Sequence, residues 1–140
     1  MAKSSDIRTG RHCVFNILVH LVFVSKYRKK VFDDAILKEM EKLFRDICKD
    51  FESELIEFNG EENHIHLIVS IHPKYSISKL VNSLKGVSSR ILRKNPNLRS
   101  KFWKNVLWSP SYFAGSCGGV TIKTIKKYIK NQASPDSSSP

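Results

Sequence analysis

Two histidines lie two residues apart in an otherwise apolar stretch, at His64-Ile65-His66. In a β-strand, residues i and i+2 project from the same face, so both imidazoles would point together. Two imidazoles at this spacing can hold one metal ion, and placing them on an apolar strand is costly unless something uses them. The alternative is a pair of half-exposed histidines on the solvent-facing side of a sheet. The pair alone does not decide between the two.

A second group of reactive side chains lies near the end of the chain. Residues 121–132 have helical periodicity, with a narrow apolar stripe beside the ridge that carries Tyr128 and Gln132. Because these two residues are four positions apart, their side chains stack on one helix face. A helix docked through its stripe would present a phenol and an amide together. A phenol oxygen can attack phosphorus and hold a covalent phosphodiester, although a tyrosine on such a helix also fits a half-buried anchor.

The two groups together can form a metal-assisted phosphoryl-transfer site. Gln132 could add an amide oxygen to the two imidazoles, and the remaining coordination positions would accept phosphate and water oxygens. This donor set suits Mn²⁺ well and Mg²⁺ adequately, and it would also accept Zn²⁺. A bound metal would polarise the scissile phosphate. The phenol has an ordinary pKa of about 10, so it needs a base or the positive field of nearby lysines at neutral pH.

Composition favours a polyanion as partner. The chain has 140 residues, with 24 Lys and Arg against 13 Asp and Glu, which gives a net charge of +11. Such an excess suggests nucleic acid or an anionic membrane. The longest apolar run, over residues 14–24, is interrupted by Asn16 and His20 and is too short to span a membrane. The three cysteines are scattered without a CxxC pair, which favours a reducing cytoplasm over a disulfide framework.

Periodicity predicts the order strand, helix, strand, strand, helix, strand, helix. The strands are predicted over residues 13–25, 54–58, 61–71 and 106–116. The helices are predicted from Asp33 or Asp34 to about residue 50, from Ser76 to about residue 94, and over residues 121–132. The dipeptide Asn59-Gly60 predicts a two-residue hairpin turn. The first six elements match an α+β, ferredoxin-like split βαβ fold, whose helices cover one sheet face and leave the histidine face free.

One domain is expected over residues 1–132. It begins with a loose basic arm over residues 1–11, includes a basic loop over residues 95–105, and is followed by a disordered Ser/Pro-rich tail over residues 133–140. His20 falls on the less buried face of the first strand. It is predicted as a sheet-surface histidine or as a neighbour of the active site.

Basic and aromatic residues supply candidate DNA contacts. The candidate phosphate contacts are Lys79, Lys85, Arg90, Arg93 and Lys94 of the second helix, and Arg28 and Lys29 of the run Lys26–Lys30. Trp108 and Tyr112 are candidates for stacking on unpaired bases. The alternatives are a basic surface that is merely solvated and, for Trp103 and Trp108, rings that complete the core.

These motifs resemble the small single-tyrosine HUH transposases of bacterial and archaeal insertion sequences. The resemblance covers about residues 12–132. Its main motifs are His64-Ile65-His66 and the residues KKYIKNQ at 126–132, with supporting stretches at residues 21–28, 84–90 and 107–113. One departure is Asn63, which stands where the family commonly has an acidic residue.

The resemblance implies a role for each candidate site residue. His64 and His66 would bind a divalent cation, Gln132 would be its third protein ligand, and Tyr128 would be the nucleophile. The reaction would cleave and rejoin single-stranded DNA at element ends through a 5′-phosphotyrosine link. The protein would recognise end hairpins and work as a dimer with a joined sheet, in which a hinge at Gly118-Gly119 could pass the tyrosine helix to the partner.

Two other functions fit the same residues. One is a domesticated or repeat-associated HUH nuclease, with the same chemistry on different DNA. The other is a non-catalytic module that binds single strands on a ferredoxin-like sheet. A covalent DNA adduct that depends on Tyr128 would separate both enzymes from the binding module.

Overall fold

The histidine pair lies in a four-stranded antiparallel sheet that helices cover on one face. The structure, a computed structural model, describes residues 7–101, 106–117 and 127–132. Its strands are β1 (Arg8–Gly10), β2 (Cys13–Phe15), β3 (Leu18–Val24), β4 (Glu54–Gly60), β5 (His64–Ser70) and β6 (Phe113–Ser116). Its helices are α1 (Asp34–Asp50), α2 (Ile77–Leu92) and the short α3 (Pro96–Arg99), with one 3-10 turn at Lys26–Arg28.

The strand order confirms the predicted fold class. The sheet runs β4-β5-β3-β6, and β1 pairs only with β2 in a separate two-stranded ribbon. The succession β3-α1-β4-β5-α2-β6 is the split βαβ pattern of a ferredoxin-like α+β fold. All pairs within the four-stranded sheet are antiparallel.

The two long helices begin where local signals predict. The Asp33 carboxylate accepts a hydrogen bond from the backbone N–H of Ile36 at 2.8 Å, and Ser76 caps α2 in the same way. The apolar stripe of α1 packs on the sheet, with the Phe44 ring 6.1 Å from that of Phe23. Burying each such side chain contributes about 1.5–3 kcal/mol. No helix within the described ranges has the length and apolar character to cross a membrane.

The first predicted strand and the loose arm before it were both wrong in part. The stretch 13–25 is broken after Phe15 into β2 and β3, and Arg8–Gly10 is not loose because it forms β1. The Arg8 guanidinium donates to the carbonyl and hydroxyl oxygens of Ser70 and to the carbonyl oxygen of Glu52. These partners are distant in sequence, so local periodicity could not predict that the arm is fixed.

The hairpin between β4 and β5 is confirmed, but its turn is not at Asn59-Gly60. Both residues pair within the sheet, opposite His66 and Ile65, and the chain turns over residues 61–64. A Cβ on Gly60 would overlap the side chain of Leu37 on α1. The glycine therefore permits close approach of the helix and does not form the turn.

The region after α2 also differs from its prediction. Residues 95–105 are not simply a loop, because Asn95 caps the helix α3 and the Leu98 side chain is fully buried. The last strand is shorter than predicted, with only a single bridge between Trp108 and Ser25 before β6. Several predictions fall outside the described residues: those on residues 1–6, Trp103, Gly118-Gly119, residues 121–126 and the tail 133–140.

The contact at Gly60 predicts a size limit at this position. Gly60→Ala should lower the free energy of unfolding by about 1–3 kcal/mol, because the added methyl group must displace Leu37. Urea denaturation would measure the change. Gly86 on α2 is a matched control, since nothing lies within 4 Å of a Cβ there. Gly86→Ala should leave stability unchanged or raise it by about 0.5–1 kcal/mol. Equal effects at both positions would contradict the assignment.

Candidate active site

His64 and His66 share the sheet face that the helices leave uncovered. Their side chains are half-buried and their ring centroids are 4.9 Å apart, while the alternate residues Ile65 and Leu67 are fully buried in the core. The predicted alternation of β5 is thus confirmed. Antiparallel pairing with β3 places Val24 beside His64 and Val22 beside His66.

The surroundings of both imidazoles favour the neutral form, because they lower the pKa of each ring. Burial lowers the pKa of His64, and burial together with the neighbouring His64 and His20 rings lowers the pKa of His66 to about 4. A neutral imidazole keeps a lone pair for a metal. The Asn63 amide oxygen lies 2.7 Å from Nδ1 of His64. Because that oxygen only accepts, this contact favours the tautomer with the proton on Nδ1, which leaves Nε2 for coordination.

His20 is a neighbour of this site, which was one of its two predicted roles. Its ring centroid lies 5.8 Å from that of His66. Its Nε2 atom is buried without a hydrogen-bond partner among the described residues. Burial lowers the pKa of His20, partly offset by the Glu57 carboxylate.

The tyrosine segment docks on the same sheet face as the histidines. Residues 127–130 are helical, and the Tyr128 and Ile129 side chains pack on the buried pair Val22 and Val24. The Tyr128 ring centroid is 5.7 Å from that of Phe113. The longer helix, from residue 121, stays a prediction because residues 121–126 are not described.

The phenol of Tyr128 is held by a serine beside the sheet. Its hydroxyl donates to Ser111 Oγ at 3.1 Å, and burial raises its pKa. The Gln132 amide oxygen accepts a hydrogen bond from the Ser109 hydroxyl at 2.7 Å. The Tyr128 and Gln132 side chains are therefore both bound to the loop Ser109–Ser111, and the sequence did not predict this role of the loop. The only signal was the position of this loop inside one of the supporting stretches.

Lys85 supports that loop. Its ammonium group donates to the carbonyl oxygens of Ser109 at 2.8 Å and Ser111 at 2.9 Å. Burial lowers the pKa of Lys85 to about 8. The predicted DNA contact of Lys85 would compete with these two hydrogen bonds.

The other candidate DNA contacts differ in exposure. Lys79, Arg90 and Lys94 are exposed, Arg93 donates to Ser89, and Lys29 donates to the Lys101 carbonyl. Arg28 is half-buried with a left-handed backbone. Their DNA contacts stay predictions.

The aromatic candidates are mainly structural. The Trp108 side chain is 4% exposed, and its indole N–H donates to the Ser88 hydroxyl. Its alternative role as a core residue is therefore correct, and stacking on a base by this ring is excluded. Tyr112 is half-buried and packs against the same core.

A cavity of about 780 Å³ opens on the histidine face. His64 and His66 line it, and Ile129 and Lys130 of the terminal segment form part of its wall, whereas Tyr128 is not among its lining residues. No cluster of three or more His, Cys, Asp or Glu residues within the described ranges is arranged to hold a metal. The donors that fit a metal are thus the imidazole pair, and a third protein ligand would be of another type, such as an amide oxygen.

The fold and this site define a ferredoxin-like domain with an imidazole pair on its free sheet face and a tyrosine segment docked beside the pair. Residues 13–132 match the family described as IS200-like transposase. The ISDra2 transposase TnpA of Deinococcus radiodurans is 32% identical over 128 residues, which is 91% of each chain. The transposase for insertion sequence element IS200 of Salmonella typhimurium is 30% identical over 94% of this chain and 86% of its own length.

Solved structures agree with the sequence comparisons. A crystal structure of a candidate transposase from Deinococcus radiodurans R1 superimposes with a TM-score of 0.83 at 30% identity, covering 91% of this chain and 98% of the other. A REP-associated tyrosine transposase bound to a REP hairpin has a TM-score of 0.56 at 10% identity, over 87% of this chain and 67% of the other, which shows the fold alone. The chain belongs to the IS200-like transposase family, which is a family of DNA strand-transfer enzymes.

The hydrogen bonds of Lys85 predict a structural role for its charge. Lys85→Met should lower the free energy of unfolding by about 1–3 kcal/mol, because two carbonyl groups lose a charged donor. Amide hydrogen exchange in residues 106–117 should also become faster. Lys94→Met, at an exposed lysine just beyond α2, should change stability by less than about 0.5 kcal/mol. Unchanged exchange in Lys85→Met would contradict this role.

Proposed function

We propose that this transposase cleaves and rejoins single-stranded DNA at insertion-sequence ends, with Tyr128 as nucleophile and a divalent cation, Mg²⁺ or Mn²⁺, held by His64 and His66. The observation that carries the proposal is the docking of the tyrosine segment on the histidine face through Val22 and Val24. Tyr128 and the imidazole pair are 62 or more residues apart in sequence, yet they share one surface of the sheet. The enzyme would act in the cytoplasm.

Each residue of the site has a defined task in this reaction. The two imidazoles would hold the cation, and Gln132 would be its third protein ligand. When bound, the cation would polarise the scissile phosphate and neutralise developing charge. Asn63 holds the His64 ring in the tautomer that leaves Nε2 free.

The covalent step balances without a nucleotide cofactor. The Tyr128 oxygen forms a bond to phosphorus and gives up its proton, while the bond from phosphorus to the 3′ oxygen breaks and that oxygen takes a proton. The products are a 5′-phosphotyrosine and a free 3′-hydroxyl. Attack of a 3′-hydroxyl on such a link reverses the step and rejoins a strand. Because one phosphoester replaces another, no bond energy is lost.

The resting position of Tyr128 requires a rearrangement before attack. Its phenol is bound to Ser111 and its pKa is raised by burial, so the hydroxyl is protonated in this position. The proposal therefore includes release from Ser111 and a turn toward the cavity. A homodimer in which the segment serves the partner's histidines is part of the proposal.

We extend the proposal to hairpin recognition. The structural neighbour bound to a REP hairpin supports it by fold, and the net charge of +11 supports it by electrostatics. The exposed Lys79, Arg90 and Lys94 are the preferred candidates for phosphate contacts. The same features also fit a repeat-associated nuclease of identical chemistry. Only the sequence of the cleaved DNA would distinguish that nuclease from an insertion-sequence transposase.

A covalent adduct is the direct test of the proposal. A labelled single strand carrying an element-end hairpin, incubated with protein and Mn²⁺, should give a protein–DNA band on a denaturing gel. The band should disappear with EDTA and in Tyr128→Phe, because the nucleophilic oxygen is lost. Tyr75→Phe is a matched control, since that phenol lies on the surface beside Glu52. If the wild type gives no band but binds the strand, the chain is a binding module. This is the second candidate function, and the hydrogen bond that holds the Tyr128 phenol to Ser111 is the observation in its favour.

Asn63 should influence the affinity for the cation. Asn63→Ala removes the acceptor that fixes the His64 ring, so the dissociation constant for Mn²⁺ should rise about 10- to 100-fold. Isothermal titration of the cation into the protein measures this without reference to activity. Asn82→Ala, at an exposed asparagine on α2, should leave the constant unchanged. Equal constants for Asn63→Ala and wild type would show that Asn63 does not orient the ring.

A further inference from the structure

The cavity on the histidine face has an apolar floor surrounded by polar side chains. Sheet pairing places Ile68 of β5 between Glu57 on β4 and His20 on β3. His66 lies on the same face two residues earlier in β5, and Asn59 pairs with it across the sheet. Paired residues have Cβ atoms about 5 Å apart, so Glu57 and His20 flank Ile68, while His66 and Asn59 lie at one end of it. These four polar side chains, here called the polar ring, therefore border Ile68 on three sides.

One polar atom among these four side chains is without a hydrogen-bond partner in the described part of the chain. His20 Nε2 is buried, has no hydrogen bond within the described part of the chain, and belongs to a residue that lines the cavity. Buried polar atoms are nearly always bonded, and each exception needs an explanation. Because this nitrogen is closed off from the cavity, a ligand group above Ile68 could become its partner only after a small rotation of the His20 ring.

The charge of the cavity is opposite to that of the chain as a whole. Although the net charge is +11, the carboxylates of Glu57, Glu61 and Glu62 line this cavity, with Lys30 and Lys130 as its two cationic residues. Three carboxylates disfavour a phosphate over the floor by like-charge repulsion. They are acceptors for hydrogen-bond donors, and the exocyclic amines of adenine and cytosine are such donors.

The spacing of the ring argues for a planar ligand over a second metal ion. No cluster of three His, Cys, Asp or Glu side chains in the described ranges converges closely enough for a cation. A volume of about 780 Å³ is within the usual range of small-molecule sites, roughly 300–1,000 Å³. An unstacked base lying on Ile68 would place its edge against Glu57 and Asn59. This is how enzymes that act on nucleotides read an extruded base.

We infer that Ile68, with the surrounding Glu57, Asn59 and His20, binds one unstacked nucleobase beside the cleaved phosphate and prefers adenine or cytosine to thymine. The inference rests on the proposed function, because His66 belongs both to the cation site and to this ring. Two residues along a strand are separated by about 7 Å. A phosphate held at the histidine pair can therefore have the base of a flanking nucleotide over Ile68.

Free mononucleotides test this pocket without any need for cleavage. The probes are dCMP and dTMP, each in the presence of Mg²⁺. The two nucleotides are similar in size, but only dCMP has an exocyclic amine. NMR titration of the full chain should show shifts at Ile68 and His20, with dCMP binding about tenfold more tightly than dTMP. Glu57→Gln replaces an acceptor with a group that both donates and accepts, so the preference should fall to within about threefold.

Glu39→Gln is the matched control, because Glu39 is exposed on α1, which packs on the other face of the sheet. It should leave the preference for dCMP unchanged. Equal binding of dCMP and dTMP by the wild type, or an unaltered preference in Glu57→Gln, would overturn the inference. A missing covalent adduct would instead overturn the proposed function, and the preference for dCMP would remain measurable on the same protein.

Discussion

The register between β3 and β5 is the constraint on which the site depends. It places His64 beside Val24 and His66 beside Val22, so the imidazole pair and the apolar seat of the tyrosine segment adjoin each other. Residues on a strand alternate between faces, and a slip of one position would move both histidines into the core. The core residues Ile65 and Leu67 prevent such a slip, because it would expose them. The packing of the core face therefore determines which side chains lie on the free face.

Within the described residues, the tyrosine segment is attached through a small apolar seat and two hydrogen bonds. Its apolar seat is a separate cluster of two buried valines. To this are added the hydrogen bond that Ser109 donates to Gln132 and the one that Tyr128 donates to Ser111. Elements with few buried contacts open at low free-energy cost compared with the core. Under the proposed function, this suits a residue that would leave one hydrogen bond, attack a phosphate and later release it. The ammonium of Lys85 keeps the serine loop in place through its two hydrogen bonds.

The parts predicted correctly from the sequence are those set by local rules. The alternation around His64 and His66 and the caps of α1 and α2 depend on neighbours within a few residues. The errors arose where a distant partner decides the outcome. The space at Gly60 is limited by the side chain of Leu37, and Arg8 is fixed by hydrogen bonds to Ser70 and Glu52. The family motifs predicted the site residues, whose roles stay predictions, but only the structure reveals the serine loop and the polar ring around Ile68.

The neutral side chain at position 63 is consistent with the charge of the cavity. An acidic residue there would hold the His64 ring more firmly and make it a stronger ligand. It would also add a fourth carboxylate to a cavity that already contains Glu57, Glu61 and Glu62, close to where a phosphate must bind. An amide orients the same Nδ1 proton without that repulsion. Under the proposed function, this chain would thus exchange a weaker hold on the cation for a less negative approach to the scissile phosphate.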